Sequence, residues 1–210
     1  MIVILIVSLI FTFWFLFKRN RNDIEIRRKV LTNEECNYII NISNKYEYEQ
    51  FPEQVDFKPA YEIDIYDTEL PEIILNSELW EICKNIYNTH LKIDFSMPVY
   101  VFLRRYTPYE RIELPIHLDE NKVTVSFLLS DRSEYEGGDL YIFDRHLTEK
   151  YAYINSQSGE HKNNFVNNYK NLPIVNYDQG DTVMYSGKHH LHGVLPITKG
   201  MRYTLSFFFE

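Results

Sequence analysis

From Pro98 to its C-terminus, this chain alternates apolar and polar residues with a period near two, which limits the folds it can adopt. The pattern predicts short β-strands at residues 99–103, 114–118, 123–129, 140–143, 182–185, 191–197 and 203–209. Two helices are predicted before them: a capped helix from Thr32 or Asn33 to about residue 45, and a second over residues 72–91. This order predicts an α+β domain with a barrel or sandwich core.

The N-terminus has a different character. Residues 2–17 are uncharged and apolar apart from Ser8 and Thr12. As a helix they span about 24 Å, which is short for a bilayer core of about 30 Å but usable with Trp14 at one interface. A cleaved signal peptide and a buried core helix are the alternatives, although no small-residue cleavage site follows the run. We expect residues 1–22 to be a single-pass membrane anchor, embedded through residues 1–17, and residues 23–210 to be the main domain.

The charges after this run predict its orientation. Basic residues follow it at Lys18, Arg19, Arg21, Arg27, Arg28 and Lys29. By the positive-inside rule they favour a cytosolic domain. The sequon Asn41-Ile42-Ser43 is weak evidence for the opposite side, because single sequons are common by chance.

Net charge and cysteine content exclude several function classes. The formal net charge is −8, which disfavours binding to nucleic-acid phosphate and to anionic membrane surfaces. The only cysteines, Cys36 and Cys83, are too few for a disulfide scaffold or a thiolate zinc cluster, and one bridge between them stays open. The polar stretch 144–172 is predicted to be an exposed excursion that either covers a substrate or has no role.

Histidine and aspartate occur in a pattern suited to a metal. His117 and Asp119 are two residues apart on a predicted strand, so their side chains point to one face. A histidine from the group His189, His190 and His192 would complete a set of two imidazoles and one carboxylate. That set occupies one face of an octahedral iron(II) ion and leaves positions open for a chelating cosubstrate and dioxygen.

A hairpin argument selects among these histidines. If residues 191–197 and 201–208 pair across a three-residue loop, His192, Arg202 and Thr204 share one face. The parity excludes His189 and leaves His190 as the alternative to His192. His192 and Arg202 would then lie roughly 13 Å apart at the backbone, a gap that suits a small dicarboxylate held by metal at one end and by guanidinium at the other.

Taken together, these motifs resemble a known family. His117-x-Asp119, Gly137-Gly138-x-Leu140, Gly180-Asp181, His192 and Arg202 resemble the iron(II)/2-oxoglutarate-dependent oxygenases, over about residues 30–210. The closest groups are the prolyl 4-hydroxylase-like and procollagen lysyl hydroxylase-like domains. The resemblance implies a double-stranded β-helix (jelly-roll) core, supported by the N-terminal helices and preceded by the short transmembrane helix.

The same resemblance implies cofactors and roles. His117, Asp119 and His192 would bind Fe(2+) and form the catalytic centre, with O2 as oxidant and L-ascorbate as a further ligand. Arg202 would bind the distal carboxylate of 2-oxoglutarate, assisted by Thr204, and Tyr106 would face the cosubstrate or serve only as a wall aromatic. Leu128 departs from the pattern, because some prolyl hydroxylases have a second tyrosine there.

Two function classes follow. The first is an oxygenase that hydroxylates a peptidyl side chain, with proline leading and lysine as the alternative, because residues 134–138 and 196–203 resemble the lysyl branch. Nucleic-acid demethylases of the superfamily commonly carry a second arginine where this chain has Phe208, which disfavours that branch. The second class is a non-catalytic, membrane-tethered β-domain. For an enzyme of the procollagen-modifying kind, the lumen of the endoplasmic reticulum is the alternative location.

Overall fold

The computed structural model describes residues 24–70 and 100–210. The predicted anchor, the predicted helix at 72–91 and Cys83 lie outside these ranges. The described helices are α1 (Asn33–Ser43), α2 (Arg145–Tyr151) and α3 (Gly159–Asn168). The described strands are β1 (Ile24–Arg27), β2 (Glu62–Asp64), β3 (Tyr100–Tyr106), β4 (Leu114–His117), β5 (Val123–Leu128), β6 (Glu136–Gly137), β7 (Leu140–Ile142), β8 (Thr182–Tyr185), β9 (His192–Val194), β10 (Ile197–Lys199) and β11 (Arg202–Phe209).

The strands form two principal antiparallel sheets. The major sheet has the order β1-β8-β5-β11-β3-β2, and the minor sheet has the order β4-β9-β7. Strands β3, β4, β5, β7, β8, β9 and β11 alternate between the two sheets along the chain. An apolar cluster with members from both sheets, including Leu128, Val183, Leu140 and Val194, fills the space between them. This β-rich, two-sheet arrangement is the jelly-roll core that the sequence predicts.

Helix α1 covers the outer face of the major sheet. Thr32 and Glu35 form a capping box at its start, as the sequence indicates. Cys36, Ile39 and Ile42 are buried in a cluster that includes residues of β3, β5 and β11. Cys36 is a free thiol in the structure, and burial raises its pKa to about 12. Its pairing with Cys83 stays untested, because Cys83 lies outside the described residues.

The structure corrects the prediction of an exposed excursion at 144–172. This segment forms α2, a 3-10 turn (Ala152–Ser156) and α3. Phe143 packs its ring against those of Tyr151, Phe165 and Tyr169, in a cluster that also buries Ile116 of β4. The aromatic residues of this segment are separated by polar ones in the sequence, but they pack together over the minor sheet. The segment is therefore part of the folded domain.

The predicted hairpin between residues 191–197 and 201–208 is wrong. The first segment is broken into β9 and β10, which pair with different partners, and β11 pairs with β3 and β5. The break has a physical reason: Pro196 follows β9 and lacks the N–H that a continuing ladder needs. Strands β9 and β11, which are close in the chain, therefore belong to different sheets. A rule that pairs neighbouring segments cannot predict this arrangement.

Among residues 24–70 and 100–210, no helix has the length and apolar character needed to cross a bilayer.

Candidate active site

Two histidines are brought together by the minor sheet. His117 ends β4, and His192 begins β9 directly opposite it in the antiparallel register. Opposed residues of paired strands present their side chains on one face, and the two imidazole rings lie 4.3 Å apart between centroids. Asp119 follows β4, and its Oδ1 lies 3.2 Å from His117 Nε2 and 3.4 Å from His192 Nε2.

Hydrogen bonds to the backbone fix the tautomers of both rings. His117 Nδ1 lies 2.8 Å from the Pro115 carbonyl oxygen, and His192 Nδ1 lies 2.9 Å from that of His190. A carbonyl oxygen only accepts, so each Nδ1 carries the hydrogen and donates it. In a neutral ring Nε2 then has a bare lone pair, and here both lone pairs point at an Asp119 oxygen. Three converging electron-pair donors require a cation or a proton between them.

This donor set fits a divalent metal. One ligand atom from each of His117, Asp119 and His192 lies within 4.8 Å of the other two. Two imidazoles and one carboxylate on one side of an ion, with the other positions open, form the ligand set of non-haem iron(II) oxygenases. The backbone acceptors on Nδ1 are the outer partners that orient metal-bound histidines. The residues therefore fit iron(II), as the sequence motif implies.

Electrostatics keep the carboxylate ionised. Burial would raise the pKa of Asp119, but the two neighbouring histidines hold it well below its usual range. Burial and the nearby His192 lower the pKa of His117. Burial opposes a charged His192 as well, yet Asp119 raises the pKa of that ring above its ordinary value. Without a metal, His192 is thus the ring that takes up a proton.

A small network positions Asp119. Thr124 Oγ1 donates to Asp119 Oδ2 at 2.6 Å, and Asn121 Nδ2 donates to Thr124 Oγ1 at 3.0 Å. The Asp119 backbone N–H donates to the Gly187 carbonyl at 3.1 Å. A Cβ at Gly187 would lie 2.6 Å from Asp119 Cβ, so only glycine allows this close approach.

Arg202 is a buried cation without a carboxylate partner in the described part of the chain. It is 2% exposed, and its Nη2 donates to Tyr177 Oη at 2.7 Å. Its Nε and Nη1 have no hydrogen-bond partner. The guanidinium carbon lies 5.2 Å from the ring centroid of Tyr106, which is opposite Arg202 in the register of β3 and β11. Since a buried, unpaired charge is costly, the site is built for an anion, and the planar fork matches a carboxylate.

One cavity of about 670 Å³ joins these groups. Its lining includes His117, Asp119 and His192, and also Arg202, Thr204 and Tyr106. All six residues predicted from the sequence therefore face one space, although the hairpin that was expected to align three of them does not exist. The space can hold a dicarboxylate between a metal and Arg202.

Of the alternative histidines, neither joins the cluster of ligand atoms. His190 is buried beside His192 in the chain, but its Nδ1 bonds to the Phe143 carbonyl at 2.8 Å, away from Asp119. His189 is exposed. Leu128 is buried and pairs with Thr204 across β5 and β11, so an aliphatic side chain lies beside that residue.

Sequence reasoning missed three residues of the site. Tyr177 bonds to Arg202, Thr124 bonds to Asp119, and the Tyr185 ring lies 4.7 Å from that of His192 between centroids. Tyr185 and Thr124 are opposite one another in β8 and β5, so the register places both on the inner face. No local motif marks Tyr177, because it precedes β8 in an irregular segment.

Comparison of the sequence with models of protein families finds no match, and comparison with curated proteins finds none. The fold, in contrast, matches solved structures. A Pseudomonas putida prolyl-4-hydroxylase is 15% identical, with a TM-score of 0.59 over 90% of this chain and 94% of that one. A Trichoplax adhaerens prolyl hydroxylase, in complex with a hypoxia inducible factor peptide fragment, is 14% identical, with a TM-score of 0.64 over 90% and 84%.

A third match has a different reaction. The α-ketoglutarate-dependent carbocyclase SnoK from nogalamycin biosynthesis is 14% identical, with a TM-score of 0.58 over 89% of this chain and 79% of that one. At these identities the likeness establishes the fold alone. The chain thus has the prolyl hydroxylase-like fold of the 2-oxoglutarate/iron(II) oxygenases, a fold that serves more than one substrate class.

Proposed function

We propose that the protein is an iron(II)- and 2-oxoglutarate-dependent dioxygenase that hydroxylates a peptidyl side chain, with proline as the leading target. One observation carries this proposal: a single cavity contains the His117-Asp119-His192 cluster and an unpaired buried guanidinium at Arg202. The matched prolyl hydroxylases support a peptide substrate, since one of them was solved with a bound peptide fragment.

Bound iron(II) would supply the oxidising chemistry, in which O2 and 2-oxoglutarate give succinate, carbon dioxide and a hydroxylated product. His117, Asp119 and His192 hold the metal, and Thr124 holds Asp119 in position. Arg202 binds the distal carboxylate of 2-oxoglutarate, while Tyr177 accepts one of its N–H groups and orients the fork. Tyr106 and Thr204 close the surrounding wall, and the burial of all these groups limits access of water.

Lysine is the second candidate target, and a local charge imbalance favours it. Arg104 bonds to Glu62 through Nε at 2.9 Å and also pairs with Glu53, so two carboxylates at the cavity wall share one guanidinium. The surplus negative charge would attract a basic side chain. A non-catalytic β-domain is the alternative of another class, and the complete cluster at His117, Asp119 and His192 disfavours it.

The direct test is turnover of 2-oxoglutarate. Purified protein with iron(II), ascorbate and peptide libraries that contain proline or lysine should form succinate and peptides one oxygen atom heavier. Mass spectrometry identifies the residue that gains oxygen and so separates the two targets. No succinate under any condition, in a protein that is folded, would refute the oxygenase and leave the non-catalytic alternative.

A further inference from the structure

One lysine of α3 faces the cavity without a partner. Lys162 is 5% exposed, yet it belongs to the cavity lining. Within the described ranges, its ammonium makes no hydrogen bond or ion pair. Such a lysine is uncommon, because lysine is almost never fully buried unless it is paired.

The carboxylate that acts on Lys162 is held by another cation. Asp56 is the one carboxyl that acts on Lys162, and it offsets only part of the lowering of the Lys162 pKa by burial. That carboxylate is already held by Arg111, whose Nη1 donates to both of its oxygens at 2.9 and 3.1 Å. Arg111 is itself 1% exposed, with Nε and Nη2 unbonded. Arg111 and Asp56 do not line the cavity and neutralise each other, so Lys162 keeps a charge that no ion pair balances among the described residues.

Other nearby carboxylates are engaged elsewhere. Glu113 accepts hydrogen bonds from Asn163 at 3.1 Å and from Lys58 at 3.5 Å. Glu53 and Glu62 are both ion-paired with Arg104. None of these three carboxylates pairs with Lys162, which belongs to the cavity lining.

The position of Lys162 is fixed relative to the metal ligands. Helix α3 packs against β4, the strand that ends in His117. Asn155, in the 3-10 turn that precedes α3, accepts the Leu118 N–H at 2.9 Å, next to Asp119 in the chain. Asn155, Ser156 and Gln157 line the cavity together with Lys162. Residues 155–157 and 162 therefore form part of the wall of the cavity that contains the candidate metal ligands.

We propose that Lys162 binds an anion of the substrate, and that the preferred peptide carries a carboxylate close to the residue that is hydroxylated. This inference rests on the proposed function and adds a substrate class to it. A substrate carboxylate would supply the ion-pair partner that Lys162 lacks, and a lysine binds it as a point charge. The carboxylate comes from an aspartate or glutamate side chain, or from the C-terminus of the peptide.

The test uses the full-length protein and synthetic peptides of known charge. Each peptide is acetylated and amidated and has one proline or lysine as the target, with aspartate, asparagine or lysine at each of three positions on either side. A second set ends in a free carboxylate. We expect aspartate to exceed asparagine at one position by about tenfold or more in kcat/KM, the ratio that a charged hydrogen bond gives.

Substitutions then locate this preference. Lys162→Gln should reduce the aspartate-to-asparagine ratio to below about twofold, Lys162→Arg should retain it, and Lys162→Glu should favour peptides with lysine at the same position. Lys170→Gln is the matched control, because it removes the same charge from an exposed residue of the same segment. If only the peptides with a free C-terminus show the preference, the terminal carboxylate is the ligand.

Three results would overturn the inference. The first is a preference for acidic peptides that survives Lys162→Gln, and the second is the lack of any acidic preference in the unmodified protein. The third is a raised 2-oxoglutarate requirement in Lys162→Gln, which would place the lysine at the cosubstrate. Fluorescence anisotropy of labelled peptides with the Mn(II)-loaded protein reports binding without turnover. An inactive protein that still selects aspartate through Lys162 would refute the proposed reaction and support this site.

Discussion

At the scale of single residues, the site is defined by groups that lack a partner suited to their charge or lone pairs. Backbone carbonyls take the Nδ1 hydrogens of His117 and His192, which directs both Nε2 atoms at Asp119. Arg202 is buried, and two of its nitrogens, Nε and Nη1, make no hydrogen bond. A protein does not keep such groups for stability, because an uncompensated buried charge is destabilising.

Removing one metal ligand should abolish turnover. His117→Ala, Asp119→Ala and His192→Ala each delete one of three protein ligands, so each should abolish iron-dependent succinate formation and weaken Mn(II) binding measured by calorimetry. His189→Ala should behave as the unmodified protein. His190→Ala should lower the melting temperature but keep metal binding, because its Nδ1 bond to Phe143 is structural. Full activity in His192→Ala would mean that another histidine binds the metal.

Changes at Arg202 should act on the cosubstrate. Arg202→Ala should raise the 2-oxoglutarate requirement about ten- to a hundredfold with a far smaller effect on metal binding, since a charged hydrogen-bonded pair is lost. Arg202→Lys should lose less, because charge survives without the fork. Tyr177→Phe should raise the requirement only about two- to tenfold, since it removes one hydrogen bond to the guanidinium. Succinate formation against 2-oxoglutarate concentration measures all three, and an unchanged requirement in Arg202→Ala would contradict the assignment.

Metal affinity should fall as the pH falls. Asp119 raises the pKa of His192 above its ordinary value, so below that raised pKa a proton competes with the metal for Nε2. We expect the Mn(II) affinity to drop about tenfold per pH unit there, with about one proton released on binding, and to level off above it. Calorimetry in two buffers of different ionisation enthalpy measures the released proton. An affinity independent of pH between 6 and 8 would show that no such proton is present.

At the scale of elements, turns between sheets position the ligands. The 3-10 turn Gly187–His189 lies between β8 of the major sheet and β9 of the minor sheet. Its first residue accepts the Asp119 N–H and leaves no room for a Cβ. The turn that joins the two sheets therefore also fixes the position of Asp119.

A methyl group on this turn should disturb the metal site. Gly187→Ala would place a Cβ 2.6 Å from that of Asp119 and 2.8 Å from the Asn121 carbonyl oxygen, so one of them must move. We expect weaker Mn(II) binding with little change in far-ultraviolet circular dichroism. Gly159→Ala is the matched control, because a Cβ there has no neighbour within 4 Å. Equal metal affinity in Gly187→Ala and the unmodified protein would show that the contact does not position Asp119.

Elements also show where sequence patterns succeed. Helix α1 was predictable because Thr32 and Glu35 bond to each other's backbone within one turn, which is a local property. Strand β11 was predictable because the period near two in residues 203–209 is also a local property. The cover formed by α2 and α3 was missed, since its aromatic residues are separated by polar ones and meet only through Phe143 of another segment.

At the scale of the whole molecule, β1 ties the first described residues to the main domain. Ile24 to Arg27 pair with β8, and Arg28 forms an ion pair with Asp181 at 2.7 Å. A deletion of residues 1–22 preserves these contacts. Deleting residues 1–22 should give a protein that stays in the supernatant and still decarboxylates 2-oxoglutarate, because every site residue lies after residue 100. Loss of succinate formation in a folded truncated protein would show that the N-terminus contributes to the site.

Membrane orientation stays a prediction from the charges after the apolar run. If the domain faces the cytosol, Asn41 stays unglycosylated, although it is exposed on α1. Expression in a glycosylating cell, followed by endoglycosidase treatment, measures this by gel mobility. A mobility shift that disappears in Asn41→Gln would place the domain in the lumen and contradict the orientation, since long domains can cross despite flanking charge.

The sequence alone predicted the strand-rich domain and the central candidate residues of the site. The spacing of His117 and Asp119 predicted one shared face, although in the structure β4 ends at His117 and Asp119 follows it. The later histidines and Arg202 carry side-chain chemistry that suits iron and a dicarboxylate. Only the tertiary structure decided how they meet: His192 opposes His117 through β4 and β9, whereas Arg202 opposes Tyr106 in the other sheet. The structure alone also revealed the hydrogen bonds of Tyr177 to Arg202 and of Thr124 to Asp119, and the place of Lys162 in the cavity lining. The physical reason is the sequence separation of the interacting residues. Periodicity and capping depend on residues a few positions apart, whereas the register of strands in the two sheets is set by packing of segments far apart in the chain.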